Sequence, residues 1–368
     1  MRILIISTLK RKVTSDETAS RSQIIFKLAH GLAKKGHEVS LLGTKDSFIP
    51  QVTTIPIIEK GWVDLPAVEN PFLREVATMV QLVRKIVEIQ DRFDIIHNHL
   101  YPEFFPPVIE NELKTSLITT VHTQATDYID ETLALFRKTK FISISKAHRS
   151  LFKKAPIYKV IYNGIDTDLF TYKEKKDNYL LWIGRLSKAK NSDGTFMDPK
   201  GVRWAIKLTQ EIGSRLVLTG NVEDEDFYNR DVKPHLSDKI QWHGPVSAKQ
   251  ELKQTEIVSL MQKAKVFLMT VNWFEPFGLV MAEAMSCGTP IIGFDRGSVS
   301  ELVVNGKTGF VIPSEKGIEG LKNALTKVGQ IKPVDCRNHI VKNFSNETMV
   351  DNYEKTYLEI LKNNAGTK

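Results

Sequence analysis

Short apolar runs alternate with amphipathic segments of helix length along the whole chain. This alternation predicts parallel β-sheets covered by crossover helices. In the first half we predict strands at residues 2–7, 39–43, 94–97, 117–121, 141–143 and 159–162. In the second half we predict strands at residues 179–182, 215–219, 240–243, 266–270, 290–294 and 309–312. Both halves are therefore expected to be α/β units.

The alternation stops between residues 163 and 178, where a charged run occupies residues 173–177. Such an interruption predicts an interdomain linker. It separates an N-terminal domain at residues 1–165 from a C-terminal domain at residues 166–345. A length of 368 residues suits two domains, each with its own core.

A last helix is predicted within residues 346–368. It carries one apolar stripe, formed by Met349, Tyr353, Tyr357 and Ile360. This stripe could cover either domain, and packing back on the N-terminal domain is one of the two options.

Composition narrows the class of protein. Hydrophobic residues make up 42% of the chain and charged residues 26%, which is typical of a globular protein. The opening apolar run is too short for a signal peptide or a membrane span. The two cysteines, Cys287 and Cys336, do not suggest a disulfide framework or a metal site. We therefore expect a cytoplasmic protein.

The formal net charge of +8 favours an anionic partner. A nucleotide sugar, an anionic membrane surface and a nucleic acid all qualify. No nucleic-acid motif with interleaved aromatic residues is present, so nucleic acid is not expected. Peripheral contact with a membrane stays open.

The densest chemistry follows the predicted strand at 266–270. Ligands of open parallel sheets bind beyond the carboxyl ends of the strands. Gly278 is predicted to open a helix, so the amides of Phe277, Gly278 and Leu279 should face outward and attract an anion. Glu275 in the loop and Glu283 in the helix could then face one ligand.

These residues resemble glycosyltransferase family 4. The resemblance is carried by Glu275-Pro-Phe-Gly-Leu-Val-Met-Ala-Glu283 and by the motifs at 284–292, 296–301, 305–310, 184–187 and 163–166. It implies the GT-B fold, in which two Rossmann-like domains face a cleft. It also implies a retaining, metal-independent transfer of a hexose from a nucleotide diphosphate sugar. UDP-glucose is favoured and GDP-mannose comes next, with no cofactor beyond this donor. The hydroxyl acceptor could belong to a glycan, a lipid or a small molecule.

The resemblance also implies roles for individual residues. Glu283 would accept hydrogen bonds from the nucleotide ribose, while Glu275 and the backbone at 277–279 would engage the sugar and phosphate. Arg185 would grip the diphosphate, because a guanidinium matches two phosphate oxygens. The partner lysine is Lys190 by family spacing. It is Lys200 by its context before a glycine and a helix, after an apparent insertion that contains residues 191–194, and we favour Lys200.

In the first domain, His122 ends the predicted strand at 117–121 and is similar to the family histidine that approaches the reacting sugar. His97 and His99 are expected to be structural and to form no metal site. One departure concerns the loop after the first strand. Ala19-Ser20 occupies the place where the family commonly has two glycines, so the role of this loop towards the donor is open.

Three alternatives come from other classes of protein. A nicotinamide dehydrogenase is disfavoured because no Gly-x-Gly-x-x-Gly motif follows a strand. A basic nucleic-acid-binding protein would show steep salt dependence of binding. A catalytically silent sensor of sugar nucleotides on the same fold would bind a donor without turnover.

Overall fold

The computed structural model describes residues 1–247, 250 and 252–365. The chain divides into two compact units. The first contains residues 1–164 and the segment that begins at Asn346, and the second contains residues 165–345. Residues 366–368 of the predicted last segment, and residues 248, 249 and 251 of the predicted second domain, lie outside the described residues.

The first unit contains a seven-stranded parallel sheet with the order β3-β2-β1-β4-β5-β6-β7. Its elements are β1 (Arg2–Ile6), α1 (Ser20–Lys34), β2 (Glu38–Thr44), β3 (Thr53–Ile58), α2 (Pro71–Ile89), β4 (Ile95–Asn98), β5 (Ser116–Val121), α3 (Asp127–Leu133), β6 (Lys140–Ser143), α4 (Lys146–Ser150) and β7 (Ile157–Val160). The central strand β1 is buried on both faces from Ile3 to Ile6, as expected when helices cover both sides of a parallel sheet.

The second unit contains a six-stranded parallel sheet with the order β10-β9-β8-β11-β12-β13. Its elements are β8 (Leu180–Ile183), α5 (Val202–Ile212), β9 (Leu216–Thr219), α6 (Glu225–Asp231), β10 (Ile240–Trp242), α7 (Gln254–Lys263), β11 (Val266–Met269), α8 (Leu279–Ser286), β12 (Ile291–Phe294), α9 (Val299–Leu302), β13 (Gly309–Ile312), α10 (Gly317–Lys327) and α11 (Pro333–Phe344). The predicted α/β class, with two Rossmann-like domains, is confirmed. Across the described ranges, no helix has the length and apolar character needed to cross a membrane.

Strand β3 is the element that the sequence pattern missed. It pairs with β2 and forms one edge of the first sheet. Its residues are only partly buried, and Pro56 lies inside it. Proline has no amide proton to donate and is therefore tolerated in an edge strand. The weak alternation and the proline together concealed the strand.

The prediction of a linker at 163–178 is wrong for most of that segment. From Ile165 onward it packs inside the second unit, and Ile165 and Phe170 are buried. The ammonium group of Lys176 donates to the carbonyls of Gln262 and Cys287 at 2.9 and 2.8 Å. Burial lowers the pKa of this lysine to about 8. The charged run is thus anchored at the ends of α7 and α8.

The last helix, α12 (Asn346–Ala365), packs within the first unit. Its apolar stripe is buried, with Tyr353 and Tyr357 exposed by 1% and 0%. Val350 packs against Gly31 of α1. A Cβ atom added at Gly31 would lie only 2.5 Å from the Cγ2 atom of Val350. Lys35 pairs with Asp351 at 2.7 Å. Helix α12 therefore completes the first unit, although the whole second unit separates the two in sequence.

A tight approach between two loops of the second unit generates a first prediction. Gly201 has a φ of 74°, and a Cβ atom there would lie 1.7 Å from the Thr270 carbonyl oxygen. Gly194 has a similar φ of 80° but open space around it. We expect Gly201→Ala to lower the free energy of unfolding by about 3 kcal/mol or more, against about 1 kcal/mol for Gly194→Ala, since only the first adds a clash to the backbone strain. Urea denaturation of the variants measures both values, and equal losses would contradict the clash.

Candidate functional site

The candidate site lies at the carboxyl edge of the second sheet. Because every strand pair in this sheet is parallel, the loops that follow β8, β9, β11 and β12 leave from the same edge. Arg185 follows β8, and the loop with Glu275 follows β11, its neighbour in the sheet. The fold thus brings the predicted residues of the second domain to one edge.

Lys200 and Glu275 form the centre of the site. The Lys200 Nζ atom donates to the Glu275 Oε2 atom at 2.7 Å, and the Trp273 indole donates to the same oxygen at 2.9 Å. The Lys200 ammonium also lies 4.3 Å from the centroid of the Trp273 ring. Only 22% of the lysine side chain and 8% of the glutamate side chain are exposed. Two donors on one oxygen hold this carboxylate in a fixed orientation.

The backbone of Lys200 is fixed by its neighbours. The Trp182 indole donates to the Lys200 carbonyl at 3.0 Å. The Asp198 carboxylate accepts the amides of Gly201 and Val202 at 2.8 and 3.0 Å, which caps the start of α5. Burial raises the pKa of Asp198, while these amide donors oppose that shift. Lys200 thus lies in a rigid turn before a helix.

Arg185 lies next to Lys200 but is more accessible. A Cβ atom at Gly184 would lie 3.0 Å from the Lys200 Cβ atom, so the two cations follow adjacent backbone. The Arg185 Nη1 atom pairs with the Glu223 Oε1 atom at 3.1 Å, with 49% and 27% of these side chains exposed. Solvent-exposed ion pairs contribute little free energy. The guanidinium can therefore release Glu223 and bind an anionic ligand with little loss of free energy.

Lys190, the alternative lysine, lies on a short hairpin outside this cluster. Lys190 forms an antiparallel bridge with Phe196, and its Nζ atom lies 4.5 Å from the centroid of the Phe196 ring. The Asn191 amide donates to the Thr195 carbonyl at 2.8 Å, and Gly194 makes the turn. The insertion seen in the sequence is this hairpin. In the structure, Lys200 contacts Glu275, whereas Lys190 packs on its own hairpin.

Helix α8 begins as the sequence predicts. Gly278 precedes it with a φ of 79°, and a Cβ atom there would lie 3.3 Å from the Glu275 Cγ atom. The first amides of a helix have no carbonyl partner inside it, so the start of α8 carries partial positive charge beside Glu275. Leu279 is the first helical residue, and the buried Phe277 accepts a hydrogen bond from Ser298 through its carbonyl at 2.7 Å. Glu283, one turn into α8, is half-buried.

Sequence reasoning missed two residues of this site, Trp273 and Asp198. Trp273 lies two residues before Glu275 and contacts both members of the central ion pair. An aromatic side chain beside a predicted carboxylate was the available signal. Asp198 lies three residues before Gly201 and was hidden because the apparent insertion obscured the start of α5.

In the first unit, His122 follows β5 at the carboxyl edge of that sheet. Its amide donates to the Glu103 Oε1 atom at 3.1 Å, and the amide of Thr123 donates at 3.0 Å. Arg21, in the first turn of α1, pairs with Glu103 at 2.7 Å. Glu103 is 3% exposed. One buried carboxylate therefore joins the start of α1, next to Ala19, to the strand-end histidine.

The ring of His122 belongs to a chain of imidazoles. Its Nε2 atom lies 2.9 Å from Nδ1 of His99, and Nε2 of His99 lies 3.4 Å from Nδ1 of His97. Burial lowers the pKa of His97 to about 3 and holds the pKa values of His99 and His122 well below the usual range. His122 keeps some exposed surface, but its ring is surrounded by protein atoms. In the described part of the chain, no group of three or more His, Cys, Asp or Glu side chains is arranged to hold a metal ion.

Two family models together match most of the chain. The model described as "Glycosyl transferases group 1" matches residues 166–345, and the model described as "Glycosyltransferase Family 4" matches residues 22–169. The chain belongs to glycosyltransferase family 4. The two matches follow the division between the second unit and the first.

Individual relatives of this family 4 chain are distant. Glycogen synthase from Mycobacterium tuberculosis is 27% identical over 217 residues, which cover 54% of this chain and 48% of that protein. The match thus spans about half the length of this curated relative.

Two solved structures share the fold over 98% of this chain. Sucrose-phosphate synthase from Thermosynechococcus elongatus has a TM-score of 0.74 at 17% identity over 99% of its chain. HepE from Anabaena, solved in complex with UDP and glucose, has a TM-score of 0.70 at 17% identity over 100% of its chain.

The buried imidazoles of the family 4 chain predict how its stability depends on pH. The unfolded chain takes up protons on His97, His99 and His122 near a pKa of about 6.5, whereas the folded chain keeps these rings neutral. Stability is therefore complete above pH 6.5 and falls as the pH decreases, because the unfolded state binds more protons. We expect these three rings to lower the free energy of unfolding by about 3 kcal/mol between pH 6 and pH 5.

Urea denaturation of the family 4 chain at several pH values measures this slope. The matched variant is His97→Gln, which removes one titrating ring and should reduce the slope by about a third. A wild-type slope that stays flat between pH 6 and pH 5 would show that the folded chain also takes up these protons.

Proposed function

We propose that this chain transfers a hexosyl group from a nucleotide diphosphate sugar to a hydroxyl acceptor. The observation that carries the proposal is the cluster of Lys200, Glu275 and Trp273 beside Arg185 and the start of α8. The cluster combines positive charge for a diphosphate with a fixed carboxylate for sugar hydroxyls. Its turns belong to the rigid edge of a parallel sheet, where ligands of such sheets bind.

The proposed chemistry follows from where charge develops. When the bond between the sugar and the diphosphate breaks, negative charge accumulates on the leaving phosphate oxygen. Preorganised positive groups stabilise that charge in the transition state. Arg185 would leave Glu223 and bind phosphate oxygens through two guanidinium nitrogens, while Lys200 and the first amides of α8 supply further positive charge. With these groups in place, the reaction is proposed to need no metal ion.

Glu275 is proposed to orient the transferred sugar. Its Oε2 atom accepts hydrogen bonds from Lys200 and Trp273, so the carboxylate is held in a fixed position to accept hydrogen bonds from sugar hydroxyls. We assign no enzymatic nucleophile. The acceptor hydroxyl would attack the face from which the phosphate departs and give its proton to the departing phosphate oxygen, which retains the anomeric configuration.

The identity of the donor follows the family resemblance. Glu283, on α8, would accept hydrogen bonds from the two ribose hydroxyls, which suit the two oxygens of one carboxylate. UDP-glucose is the first donor to test, and GDP-mannose is the second. HepE, which shares the fold, was solved with UDP and glucose. The acceptor is a hydroxyl of unassigned class.

Turnover of a donor tests the proposed function directly. Purified chain is incubated with a panel of nucleotide sugars and with glycan, lipid and small-molecule acceptors, and products are detected by mass spectrometry. We expect one donor to react, with the same rate in EDTA and with a product whose anomeric proton signal in NMR shows retention. Donor binding without any product across the panel would instead indicate a sensor. A rate lost in EDTA and restored by a divalent cation would refute the metal-free mechanism.

Four variants test the assigned roles. We expect Arg185→Ala and Lys200→Ala to lower kcat by roughly 100-fold to 1000-fold, the usual effect of removing one group that stabilises developing charge. Lys190→Ala is the matched control, since it removes a lysine of the same region outside the cluster, and it should retain nearly full activity. In calorimetry, Glu283→Ala should bind the donor's nucleotide more weakly.

The reverse pattern, with Lys190→Ala inactive and Lys200→Ala active, would transfer the diphosphate role to the hairpin. Circular dichroism and melting curves of each variant show whether it is folded. Unchanged nucleotide affinity in Glu283→Ala would remove that residue from the ribose site.

A further inference from the structure

A hydrogen-bonded chain inside the first unit joins the last helix of the protein to His122. The Tyr357 hydroxyl, on α12, lies 2.6 Å from Nδ1 of His97, and the chain continues through His99 to His122 at 3.4 and 2.9 Å. A side branch runs from Nε2 of His97 to the Thr120 hydroxyl and from there to the Tyr353 hydroxyl, at 2.8 Å each. Tyr357, His97 and His99 are 0% exposed.

Burial fixes the charge state of the side chains in this hydrogen-bonded chain. A charged group in such a site would lose its hydration, so the pKa values of the imidazoles are lowered and those of both tyrosines are raised. Each imidazole therefore carries one N–H group and one lone pair. The remaining freedom is which ring nitrogen holds the proton.

The contacts select one arrangement of protons. Among the described residues, the Tyr357 hydroxyl hydrogen-bonds only to Nδ1 of His97, so this buried hydroxyl can donate only if Nδ1 of His97 accepts. His97 then carries its proton on Nε2 and donates to Thr120. The lone pair on Nδ1 of His97 faces Nε2 of His99, and two facing lone pairs would repel, so His99 carries its proton on Nε2.

The same argument reaches His122. Nδ1 of His99 then carries a lone pair and no proton. Nε2 of His122, which lies 2.9 Å away, must therefore carry the proton and donate it in the hydrogen bond between them. Nδ1 of His122 is left as an acceptor, and the described contacts include no protein partner for this atom. The amide of His122 is held separately by Glu103, so ring and backbone are both fixed.

We propose that Tyr357 is a positioning residue that acts through His97 and His99 to hold His122 in its Nε2–H tautomer and present Nδ1 as an acceptor to a sugar hydroxyl. The part that concerns the sugar rests on the proposed transferase function. The tautomer itself does not, because it follows from contacts inside the first unit. Helix α12 thus contributes to the chemistry of the strand-end histidine as well as to packing.

Long-range ¹H–¹⁵N NMR of protein labelled on histidine tests the tautomer without any activity. In the wild-type chain, His122 should show Nε2 as the protonated nitrogen and Nδ1 as the bare one, with the signals assigned by comparison with His122→Gln. In Tyr357→Phe the ring stays and the hydroxyl is lost, and we expect His122 to populate the Nδ1–H form. Tyr353→Phe is the matched control, because it removes an equally buried hydroxyl of the same helix from the side branch, and it should leave the tautomer unchanged.

Kinetics then separate positioning from packing. Where a donor is turned over, Tyr357→Phe should lower kcat by roughly 10-fold, the effect expected for loss of one hydrogen bond, while Tyr353→Phe stays near the wild-type rate. Both variants should lose similar stability.

A wild-type His122 protonated on Nδ1, or an unchanged His122 in Tyr357→Phe, would overturn the proposal even if the chain is an active transferase. If His122 changes tautomer as predicted but the protein turns over no donor, the positioning role of Tyr357 stands and the proposed transferase function is refuted.

Discussion

Parallel pairing of the strands is the constraint on which both candidate sites depend. A parallel strand can follow another only after the chain has crossed back over the sheet, so every carboxyl end in a sheet faces the same edge. In the second sheet this edge receives the loops that carry Arg185 and Glu275. In the first sheet it receives His122 and the loop of Glu103. The helices cover the faces and leave these edges to hold polar side chains.

The central ion pair of the second unit is a feature that stability alone would not favour. Taking an ammonium and a carboxylate out of water costs more than their attraction returns unless further hydrogen bonds satisfy them. The Trp273 indole gives the Glu275 carboxylate such a hydrogen bond, while Trp182 and Asp198 hold the backbone at and after Lys200. Removing one partner would leave the other buried and uncompensated. Under the proposed function, a phosphate and sugar hydroxyls would share the contacts that the two residues now make with each other.

The sequence predicted those parts of the fold in which local chemistry and tertiary structure agree. Strand β11 is a short apolar run, and Gly278 has the positive φ that suits the start of α8, so the site loop and its helix were both predicted correctly. Pattern reasoning failed where a local signal had two physical explanations. The charged run at 173–177 is typical of solvent-exposed loops, yet Lys176 is half-buried because the carbonyls at two helix ends accept hydrogen bonds from its ammonium group.

The choice between Lys190 and Lys200 shows the same difficulty. Spacing along a sequence does not reveal that residues 190–196 fold back into their own hairpin, so that Lys200 follows β8 closely in space. The edge strand β3 was missed because partial exposure weakens alternation, and Pro56 ordinarily argues against a strand. The contact between Lys200 and Glu275 joins residues that are 75 positions apart, so sequence spacing does not reveal it.

The imidazole chain depends on a contact between residues that lie far apart in the sequence. Tyr357 and His97 are 260 positions apart, and periodicity predicted only that the tyrosine belongs to an apolar stripe. A hydroxyl at the tip of a core side chain leaves no trace in a hydrophobic pattern, although it needs a partner once it is buried. Because burial keeps every ring in this hydrogen-bonded chain neutral, the position of each ring proton follows from the direction of the hydrogen bonds. A helix that completes the core of the first unit therefore also determines which nitrogen of His122 is available to a ligand.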